Sequence, residues 1–348
     1  MTVFASTFVT GLEKPVAELI AKNLRQVKII KLYDGLVIFS TPSPIREIQK
    51  LRFINNSFLV LQEFITSATP NIEAIYDRLI KQPDSIQSAA LTKHFSGHPT
   101  FRLVTSLENQ FVAVSKTKIN VLEEIISRQY GLKTDHHKPQ VEFWLLFRRE
   151  KIALFMVRLT TNVSSDKLQP GSLRSEIAHL MCHLAQPSAN NLYLDPFAGS
   201  GSIPLELARY FPIRVVIAGD QDMGCINPLK SQQKKLKIAK PRMVIKQLDA
   251  ANLTGIKNNA IDGIITDPPW NEYAKIKNYN SFMAGIMGEF ARILKKTGLA
   301  VVLLSRKIDL PRIIKTNKIK LTLTDRYDIL VSGQKATIYI LGKQKIEK

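Results

Sequence analysis

The segment Asp267-Pro268-Pro269-Trp270 brings together a carboxylate, two prolines and an indole directly after an apolar run. Prolines donate no backbone hydrogen bond and hold the chain stiff, so the Pro268 carbonyl and the Asp267 carboxylate are predicted to face one small donor group. An amine on a base is such a group. Two fixed acceptors for its hydrogens favour a more tetrahedral nitrogen, whose lone pair can then attack a methyl sulfonium in line. Trp270 is predicted to stack the base once it leaves its helix, so these four residues form the predicted catalytic site.

A glycine-containing turn comes after another apolar run at Leu194-Asp195, with the sequence Pro-Phe-Ala-Gly-Ser-Gly over residues 196–201. Glycines there permit positive φ and let the backbone approach a ligand closely. The turn lacks the G-x-G-x-x-G pattern of dinucleotide folds and the G-K-[ST] pattern of phosphate loops. These absences argue against a nicotinamide cofactor and against ATP.

Two further acids each come after a predicted strand. Asp220 lies about 25 residues after Asp195, where an acid can accept both ribose hydroxyls of an adenosine ligand, and Asp249 is placed to meet the adenine edge. An adenosine ligand that carries a methyl sulfonium is S-adenosylmethionine, the predicted cofactor. Its predicted binding residues are Asp195, Phe197, Ala198, Gly199, Ser200, Gly201, Asp220, Gln221, Asp249, Ala250 and Asp267.

Regular alternation of strands and helices from about residue 171 positions these residues. Strands are predicted at residues 191–195, 213–219, 243–248, 261–266 and 299–305, with the β-branched density of a parallel sheet buried on both faces. Runs at 320–325 and 336–341 predict a hairpin at the sheet edge. We therefore expect a Rossmann-like, doubly wound, mainly parallel seven-stranded sheet, with ligand at the carboxyl ends of its strands.

The first 160 residues predict a mixed α+β region, and the polar stretch 162–171 separates this region from the C-terminal half of the chain. Strands are predicted at 3–9, 35–40 and 100–107, and helices at 16–24, 45–51, 72–80 and 118–128. The runs VEFWLLFR and IALFMVRLT predict a hairpin. Their aromatic residues, Phe143, Trp144, Phe147 and Phe155, are interpreted as core rather than as a stacking platform.

Length and composition bound the class of protein. A chain of 348 residues with 45% hydrophobic content is long enough for two or three domains. No apolar run reaches the ~18 to 20 residues of a membrane span, and the first ten residues do not resemble a secretory signal. Two cysteines without C-x-x-C spacing fit a reducing compartment. We expect a cytoplasmic monomer that does not bind membranes.

Basic residues dominate the charge, with 49 Lys and Arg against 29 Asp and Glu and a formal net charge of +20. Such an excess favours a polyanionic partner. Residues 230–246 contain seven basic residues and no acid, and residues 306–320 contain six with only Asp309. Neither stretch has a matching amphipathic apolar face, so nucleic acid is favoured over a membrane surface. The predicted RNA-binding residues are Arg174, Lys230, Lys234, Lys235, Lys237 and Arg306.

One helical cluster, His179, Cys182 and His183, has the spacing of metal ligands. No fourth ligand or second cluster accompanies it, so a packing role is favoured and no metal is predicted.

Several of these motifs resemble those of known enzymes. Asp267-Pro-Pro-Trp resembles the (D/N)-P-P-(Y/F/W) motif of amino methyltransferases, and Asp195-Pro-Phe-Ala-Gly-Ser-Gly resembles their cofactor motif, in the order found in RNA guanine-N2 enzymes. Residues 170–178, Pro-Gly-Ser-Leu-Arg-Ser-Glu-Ile-Ala, are similar to the segment beside the cofactor methionine in THUMP-domain tRNA methyltransferases. Gln169 stands where that family often has a basic residue. Residues 4–18 and 100–160 resemble the opening strand and helix and the THUMP module of that family.

The resemblance implies three domains: a ferredoxin-like α+β domain at 1–64, a THUMP-like RNA-binding module at 65–165 that would hold the tRNA acceptor end, and a Rossmann-like methyltransferase domain at 166–348. It implies methylation of the exocyclic N2 of a tRNA guanosine from S-adenosylmethionine. Since Asp-Pro-Pro-Trp serves any amine, a DNA adenine-N6 or ribosomal-RNA guanine-N2 methyltransferase is an alternative. A non-catalytic RNA-binding protein that keeps the fold is another.

Overall fold

The computed structural model describes residues 1–66, 71–86, 88, 91, 95, 99–108, 110–160, 172–271 and 276–343. The chain divides into two compact units. The first comprises Met1–Thr7 and Ala17–Val163, and the second comprises Phe8–Val16 and Ser164–Lys348. The second unit thus takes nine residues from near the start of the chain.

Strands and helices up to residue 160 are mixed along the chain. The strands are β1 (Thr2–Thr7), β2 (Lys28–Tyr33), β3 (Leu36–Thr41), β4 (Asn56–Ile65), β5 (Thr100–Leu107), β6 (Gln110–Phe111), β7 (Lys133–Thr134), β8 (Val141–Arg148) and β9 (Ile152–Arg158). The helices are α1 (Glu13–Asn23), α2 (Ile45–Ile48), α3 (Ile72–Lys81) and α4 (Lys116–Tyr130), with a 3₁₀ helix at Pro83–Ile86.

These strands form one nine-stranded sheet in the order β2-β3-β1-β4-β9-β8-β5-β6, with β7 pairing β5. The predicted hairpin of β8 and β9 is confirmed, since the two strands pair antiparallel from Phe143 with Val157 to Arg148 with Ile152. Phe143, Phe147 and Phe155 are fully buried, which confirms their interpretation as core. The helix predicted at 45–51 is shorter than expected: α2 is a single turn that ends at Ile48.

The predicted boundary between residues 64 and 65 falls inside β4. That strand pairs with β1 through its first residues and with β9 over most of its length, so it joins the two parts of the sheet. The division of this region into a ferredoxin-like domain and a THUMP-like module stays a prediction. The polar stretch predicted to separate the domains, residues 162–171, lies outside the described residues.

From residue 172 onward the described chain alternates helix and strand. The strands are β10 (Leu192–Asp195), β11 (Val215–Asp220), β12 (Met243–Gln247), β13 (Ile261–Thr266), β14 (Leu294–Ser305), β15 (Leu321–Val331) and β16 (Gln334–Lys343). The helices are α5 (Ser175–Leu184), α6 (Ser202–Tyr210), α7 (Met223–Lys235), α8 (Tyr279–Ile293) and α9 (Leu310–Thr316).

The seven strands form a sheet in the order β12-β11-β10-β13-β14-β16-β15. The first five run parallel, and β16 and β15 add an antiparallel hairpin at the edge. This confirms the predicted mainly parallel seven-stranded sheet and its edge hairpin. Strands β11, β12 and β13 are five to six residues long and rich in Val and Ile, as expected for strands that are covered on both faces.

Helix α8 covers much of the core of this sheet. Its buried residues recur at helical spacing and belong to one apolar cluster with β13 and β14; they are Tyr279, Met283, Ile286, Met287, Phe290 and Ile293. A stripe of that kind holds one face of a helix against a sheet. The start of α8 is therefore fixed near the carboxyl end of β13.

Candidate active site

Three predicted acids lie at one edge of the second sheet. Asp195 ends β10, Asp220 ends β11 and Asp267 comes directly after β13. Because β11, β10 and β13 are neighbours and run parallel, their carboxyl ends meet at the same edge. Asp249 lies two residues after the end of β12, the next strand outward. The structure thus brings the predicted acids to the place where a doubly wound sheet binds its ligands.

The turn after β10 is tied to β11 by two hydrogen bonds. The Gly199 N–H donates to Asp220 Oδ2 at 2.8 Å, and the Ala198 N–H donates to the Gly219 carbonyl at 2.8 Å. Gly199 and Gly201 have φ of +49° and +90°, which other residues adopt only with strain. A Cβ on Gly199 would enter open space, with only the Phe197 carbonyl oxygen at 4.0 Å. The turn therefore offers bare backbone to a ligand.

Asp220 and Asp249 keep part of their hydrogen-bonding capacity. Asp220 Oδ1 accepts from the Asp222 N–H at 2.9 Å, so each of its oxygens takes one backbone donor. A carboxylate offers about four lone-pair positions, which leaves room for the two ribose hydroxyls of the prediction. Asp249 is exposed and accepts from the Ala251 N–H at 2.9 Å. The neighbouring loops are linked by the Gln247 side chain, which donates to the Gln221 carbonyl at 3.0 Å.

Asp195 is almost fully buried, with 1% of its surface exposed. Its Oδ1 accepts from the Thr266 hydroxyl at 2.8 Å and from the Phe197 N–H at 3.2 Å. Burial raises the pKa of this carboxyl to about 8, and the negative charges of Asp267 and Asp220 act in the same direction, against the lowering effect of the two hydrogen bonds. A cationic ligand nearby would favour its charged form.

The Asp267 carboxyl is held by its own motif. The Trp270 indole N–H donates to Asp267 Oδ1 at 2.7 Å. Burial raises the pKa of Asp267 to about 7, although the indole hydrogen bond lowers it. The carboxyl therefore changes between its neutral and its charged form near neutral pH. Small changes in its surroundings decide which form is present, and only the charged form accepts hydrogens through both oxygens. The predicted stacking of a base on Trp270 stays a prediction.

Tyr279, the first residue of α8, completes the turn. Its hydroxyl donates to the Pro269 carbonyl at 2.7 Å, and burial together with the charge of Asp267 raises its pKa. The sequence prediction missed this residue, as it missed the Thr266 hydroxyl that meets Asp195. No local spacing marks Tyr279, because its role depends on the packing of α8 against β13.

The segment before α5 also reaches the site. The Ser172 hydroxyl donates to the Ser200 hydroxyl at 2.9 Å, so the chain just before α5 contacts the glycine turn. The predicted position of residues 170–178 beside the cofactor stays a prediction. Gln169, Pro170 and Gly171 lie outside the described residues.

A cavity of about 980 Å³ lies between Trp270 and α9. Tyr279, Lys307, Arg312 and Gln334 also line it. This volume is at the upper end of what small-molecule pockets span, so the space is large enough for a nucleotide. Its wall includes the indole that holds Asp267, which places the cavity next to the predicted catalytic carboxyl.

The predicted RNA-binding residues fall into two groups. Four of them are exposed on α7 or just after it: Lys230, Lys234, Lys235 and Lys237. The other two are paired with acids, Arg174 with Glu176 at 2.7 Å and Arg306 with Asp328 at 3.6 Å.

Arg242, which belongs to the same basic stretch as the α7 lysines, has a different role. Its guanidinium donates to the carbonyls of Ala208, Phe211 and Ile213 at 2.6, 2.6 and 3.0 Å. It therefore holds the end of α6 against the start of β12. This structural role explains why an arginine stands here, with no need for a contact to RNA.

The His179, Cys182 and His183 cluster has packing partners. His179 Nδ1 lies 2.8 Å from Glu206 Oε1, and its ring packs on Phe211 with centroids 4.6 Å apart. Cys182 is fully buried, and burial raises its pKa. In the part of the chain that the structure describes, no group of three or more His, Cys, Asp and Glu side chains is arranged to hold a metal. Nor is any helix there both long and apolar enough to cross a membrane.

Comparison with known proteins agrees with this geometry. Residues 164–329 match the family model described as RMKL-like, methyltransferase domain. This part of the chain is therefore similar to RMKL-like methyltransferase domains. It contains both strand-end motifs and all four of the acids at the sheet edge.

Two curated relatives of the chain are named as RNA guanine-N2 methyltransferases. The human U6 snRNA (guanine-N(2))-methyltransferase THUMPD2 is 29% identical over 188 residues, which cover 52% of this chain and 35% of the relative. The bovine tRNA (guanine(6)-N(2))-methyltransferase THUMP3 is 30% identical over 152 residues, 40% of this chain and 29% of the relative. The chain thus spans about a third of the length of these relatives.

Among solved structures, TrmN from Thermus thermophilus superimposes with a TM-score of 0.78 at 20% identity, covering 99% of this chain and 100% of the other. The likeness extends the shared fold from the methyltransferase domain to the N-terminal unit.

Proposed function

We propose that this chain transfers a methyl group from S-adenosylmethionine to the exocyclic N2 of a guanosine in tRNA. The observation that carries the proposal is the Asp267 carboxyl at the carboxyl edge of the sheet, which the Trp270 indole holds and whose charge acts on both Asp195 and Tyr279. The names of the relatives, which are guanine-N2 methyltransferases of tRNA and U6 snRNA, support guanine N2 as the target.

The cofactor site is proposed from the residues that present donors and acceptors at one edge. The bare backbone of the Gly199 turn would lie along the cofactor, the Asp220 carboxylate would accept its ribose hydroxyls, and the loop carrying Asp249 and Ala250 would meet its adenine. Asp195, buried beside two other acids, fits a cationic neighbour better than a neutral one. When bound, S-adenosylmethionine supplies an electrophilic methyl group on a positively charged sulfur.

The Asp267 side chain would then prepare the nucleophile. In its charged form it accepts a hydrogen of the guanine amine, and the neighbouring Pro268 carbonyl accepts the other. This keeps the nitrogen lone pair free of the ring and pointed at the methyl carbon. After transfer the nitrogen carries an extra proton, which the carboxylate is placed to receive. Trp270 fixes one Asp267 oxygen, so the other faces the amine.

The substrate class rests on charge and on the relatives. The exposed lysines of α7 and the turn after it offer contacts to phosphates, and a polyanion is favoured by the net charge of +20. We propose residues 65–165 as the module that holds the tRNA acceptor end. Because one group of relatives is named for U6 snRNA, that RNA is the second candidate.

The test is incubation of the purified chain with isotopically labelled S-adenosylmethionine and separately with total tRNA, ribosomal RNA and U6 snRNA, followed by nucleoside mass spectrometry. Labelled N2-methylguanosine from tRNA is expected. The Asp267→Ala variant should give none while still binding cofactor in a titration. Asp325→Ala, which removes an exposed carboxylate on the edge strand β15, is the matched control and should keep full activity. Methylation by Asp267→Ala, or label only in N6-methyladenosine, would contradict the proposal.

A further inference from the structure

A second cavity of about 810 Å³ lies at the other end of the sheet from the acids. It is bounded by residues 258 and 259, which precede β13, by the start of β14, and by the turn between α9 and β15. Four lysines line it, and we call them the basic groove: Lys296, Lys318, Lys320 and Lys343. No Asp or Glu among the described residues lines this cavity.

The other cation of the cavity is already compensated. Arg292 pairs with Glu289 at 2.7 Å and donates to the carbonyls of Leu253 and Ile256. It therefore shapes the wall, and the uncompensated charge comes from the lysines. Lys296, Lys318 and Lys320 are exposed, so their ammonium groups are accessible to a ligand.

The lysines lie close enough to affect one another. Lys343 is anchored by donating to the Leu294 carbonyl at 2.9 Å and to the Asn259 side chain. Burial lowers its pKa, and the positive charges of Lys296 and Lys320 lower it further. A cluster of like charges on fixed supports is stabilised by an anion that lies among them.

The basic groove adjoins the cavity beside Trp270. Asn317, the residue after α9, lines both cavities. The first cavity carries Lys307 and Arg312, and the second carries the four lysines. Asp309 also lines the first cavity, but its carboxylate already accepts from the Arg312 N–H at 3.1 Å. Basic side chains therefore predominate from the cavity beside Trp270, past the end of α9, to the amino-terminal edge of the sheet.

We propose that the basic groove binds the phosphodiester backbone of the RNA strand that continues from the target nucleotide, with Lys296 and Lys320 as its main phosphate contacts. This inference rests on the proposed function, which makes an RNA the substrate. A lysine ammonium is a compact point charge that suits successive phosphates along a flexible strand. The strand would enter the active site past α9, on a different side from α7.

The test compares the full-length chain with Lys296→Ala/Lys320→Ala. Binding of fluorescent total tRNA is measured by anisotropy over a series of KCl concentrations. Each phosphate contact contributes about 0.7 to 0.9 to the slope of log affinity against log salt, so losing two should reduce the slope by about 1.4 to 1.8. At 0.1 M salt the Kd for tRNA should rise on the order of tenfold. The KM for tRNA should rise accordingly, with kcat and cofactor affinity unchanged.

Two matched variants make the result specific. Lys296→Arg/Lys320→Arg keeps both charges and should retain the affinity and the slope. Arg209→Ala/Arg214→Ala removes two exposed charges at the end of α6 and just before β11, outside both basic stretches, and it should change the slope much less.

Affinity and slope that stay at the wild-type values in Lys296→Ala/Lys320→Ala would overturn the inference, as would an equal loss in Arg209→Ala/Arg214→Ala. If the wild-type chain forms no N2-methylguanosine but the slope still falls only in the groove variant, the proposed function fails while the groove stands as an RNA-binding site.

Discussion

Both hydrogen bonds to the Asp195 side chain go to a single oxygen, Oδ1. An asparagine in the same conformation could accept both through its amide oxygen, so Asp195→Asn changes the charge and little else. The ordinary pKa of an aspartate is 3.8, and burial raises that of Asp195 to about 8. Between these two pH values the folded chain holds a proton that the unfolded chain has lost, so the free energy of unfolding falls as pH rises.

We therefore expect Asp195→Asn to increase the free energy of unfolding at pH 9, by about 2 to 5 kcal/mol, and to change it little at pH 4. Urea unfolding at the two pH values measures this. Asp222→Asn is the control, because Asp222 is exposed and caps α7, a role that asparagine fills equally well. A stability gain at pH 4 as large as at pH 9 would show that charge is not the cause.

Asp267 gives a prediction for the pH dependence of the reaction. Its pKa is raised to about 7, so the carboxylate needed as an acceptor is lost as pH falls below that value. We expect kcat/KM for RNA to fall about tenfold per pH unit below pH 7 and to level off above it. Asp267→Asn keeps an acceptor for the Trp270 indole but carries no charge. It should lower the rate by roughly 100- to 1,000-fold and abolish the acidic limb.

The measurement is kcat/KM for methylation between pH 5.5 and 9 in buffers of constant ionic strength. An acidic limb that persists unchanged in Asp267→Asn would assign the titration to another group. Single-turnover rates should show the same limb, since they exclude product release.

At the level of the residue, the sequence predicts side chains that act through their own strand or turn. The sequence identifies three such acids, Asp195, Asp220 and Asp267, because each stands at the end of an apolar run or directly after one. Parallel strands bring these ends together. Thr266 and Tyr279 act across the fold, on Asp195 and Pro269. Their partners are set by how β13 and α8 pack, which no spacing in the sequence shows.

Helix α8 acts on the active site through its first residue. The Tyr279 hydroxyl holds the Pro269 carbonyl, and the stripe of buried residues behind it fixes the helix to the sheet. We expect Tyr279→Phe to lower kcat by roughly 10- to 100-fold, because small displacements of a reacting group are costly. The Kd for S-adenosylmethionine should stay within about twofold, since the cofactor turn belongs to a different strand.

Tyr193→Phe is the control for this variant. It also removes a buried tyrosine hydroxyl that donates to a carbonyl, that of Ala185, but it does so toward the amino end of β10. Both variants should lose about 1 kcal/mol of stability in thermal unfolding. Equal rates for the two variants would mean that the turn needs no support from α8.

Elements with a clear pattern are predictable, and edge elements are less so. The strand at 261–266 is found with its ends in place because three of its six residues are isoleucines and five of the six are buried, Asp262 being the exception. β15 runs on to Val331, well beyond the predicted end at 325, since an edge strand can carry exposed polar residues such as Thr324 and Arg326. β2 and β4 were not predicted, although β4 links the two parts of the first sheet.

The segment Phe8–Val16 belongs to the second compact unit, although β1 just before it belongs to the first. Gly11 shows how closely the segment packs there. Its φ is +85°, and a Cβ at this position would lie 2.0 Å from the Asp328 carbonyl oxygen of β15. The glycine is required by both conformation and space.

We expect Gly11→Ala to destabilise the second unit by several kcal/mol, because a backbone atom cannot yield as a side-chain end can. Gly333→Ala is the matched control: its φ is +83°, but a Cβ there meets nothing within 4 Å. It should cost only the strain of the backbone, about 1 to 2 kcal/mol. Urea unfolding of both variants measures the difference, and equal losses would show that the contact with β15 contributes nothing.

The position of Phe8–Val16 in the second unit also restricts where recombination can join this protein to another and leave a folded product. A single recombination junction near residue 164 would deliver the second compact unit without the nine residues that its own edge hairpin accommodates. A functional hybrid would have to inherit the opening of the chain and its C-terminal half together. We therefore expect Phe8–Val16 and Ser164–Lys348 to be inherited together in evolution, although some 150 residues separate them in the chain.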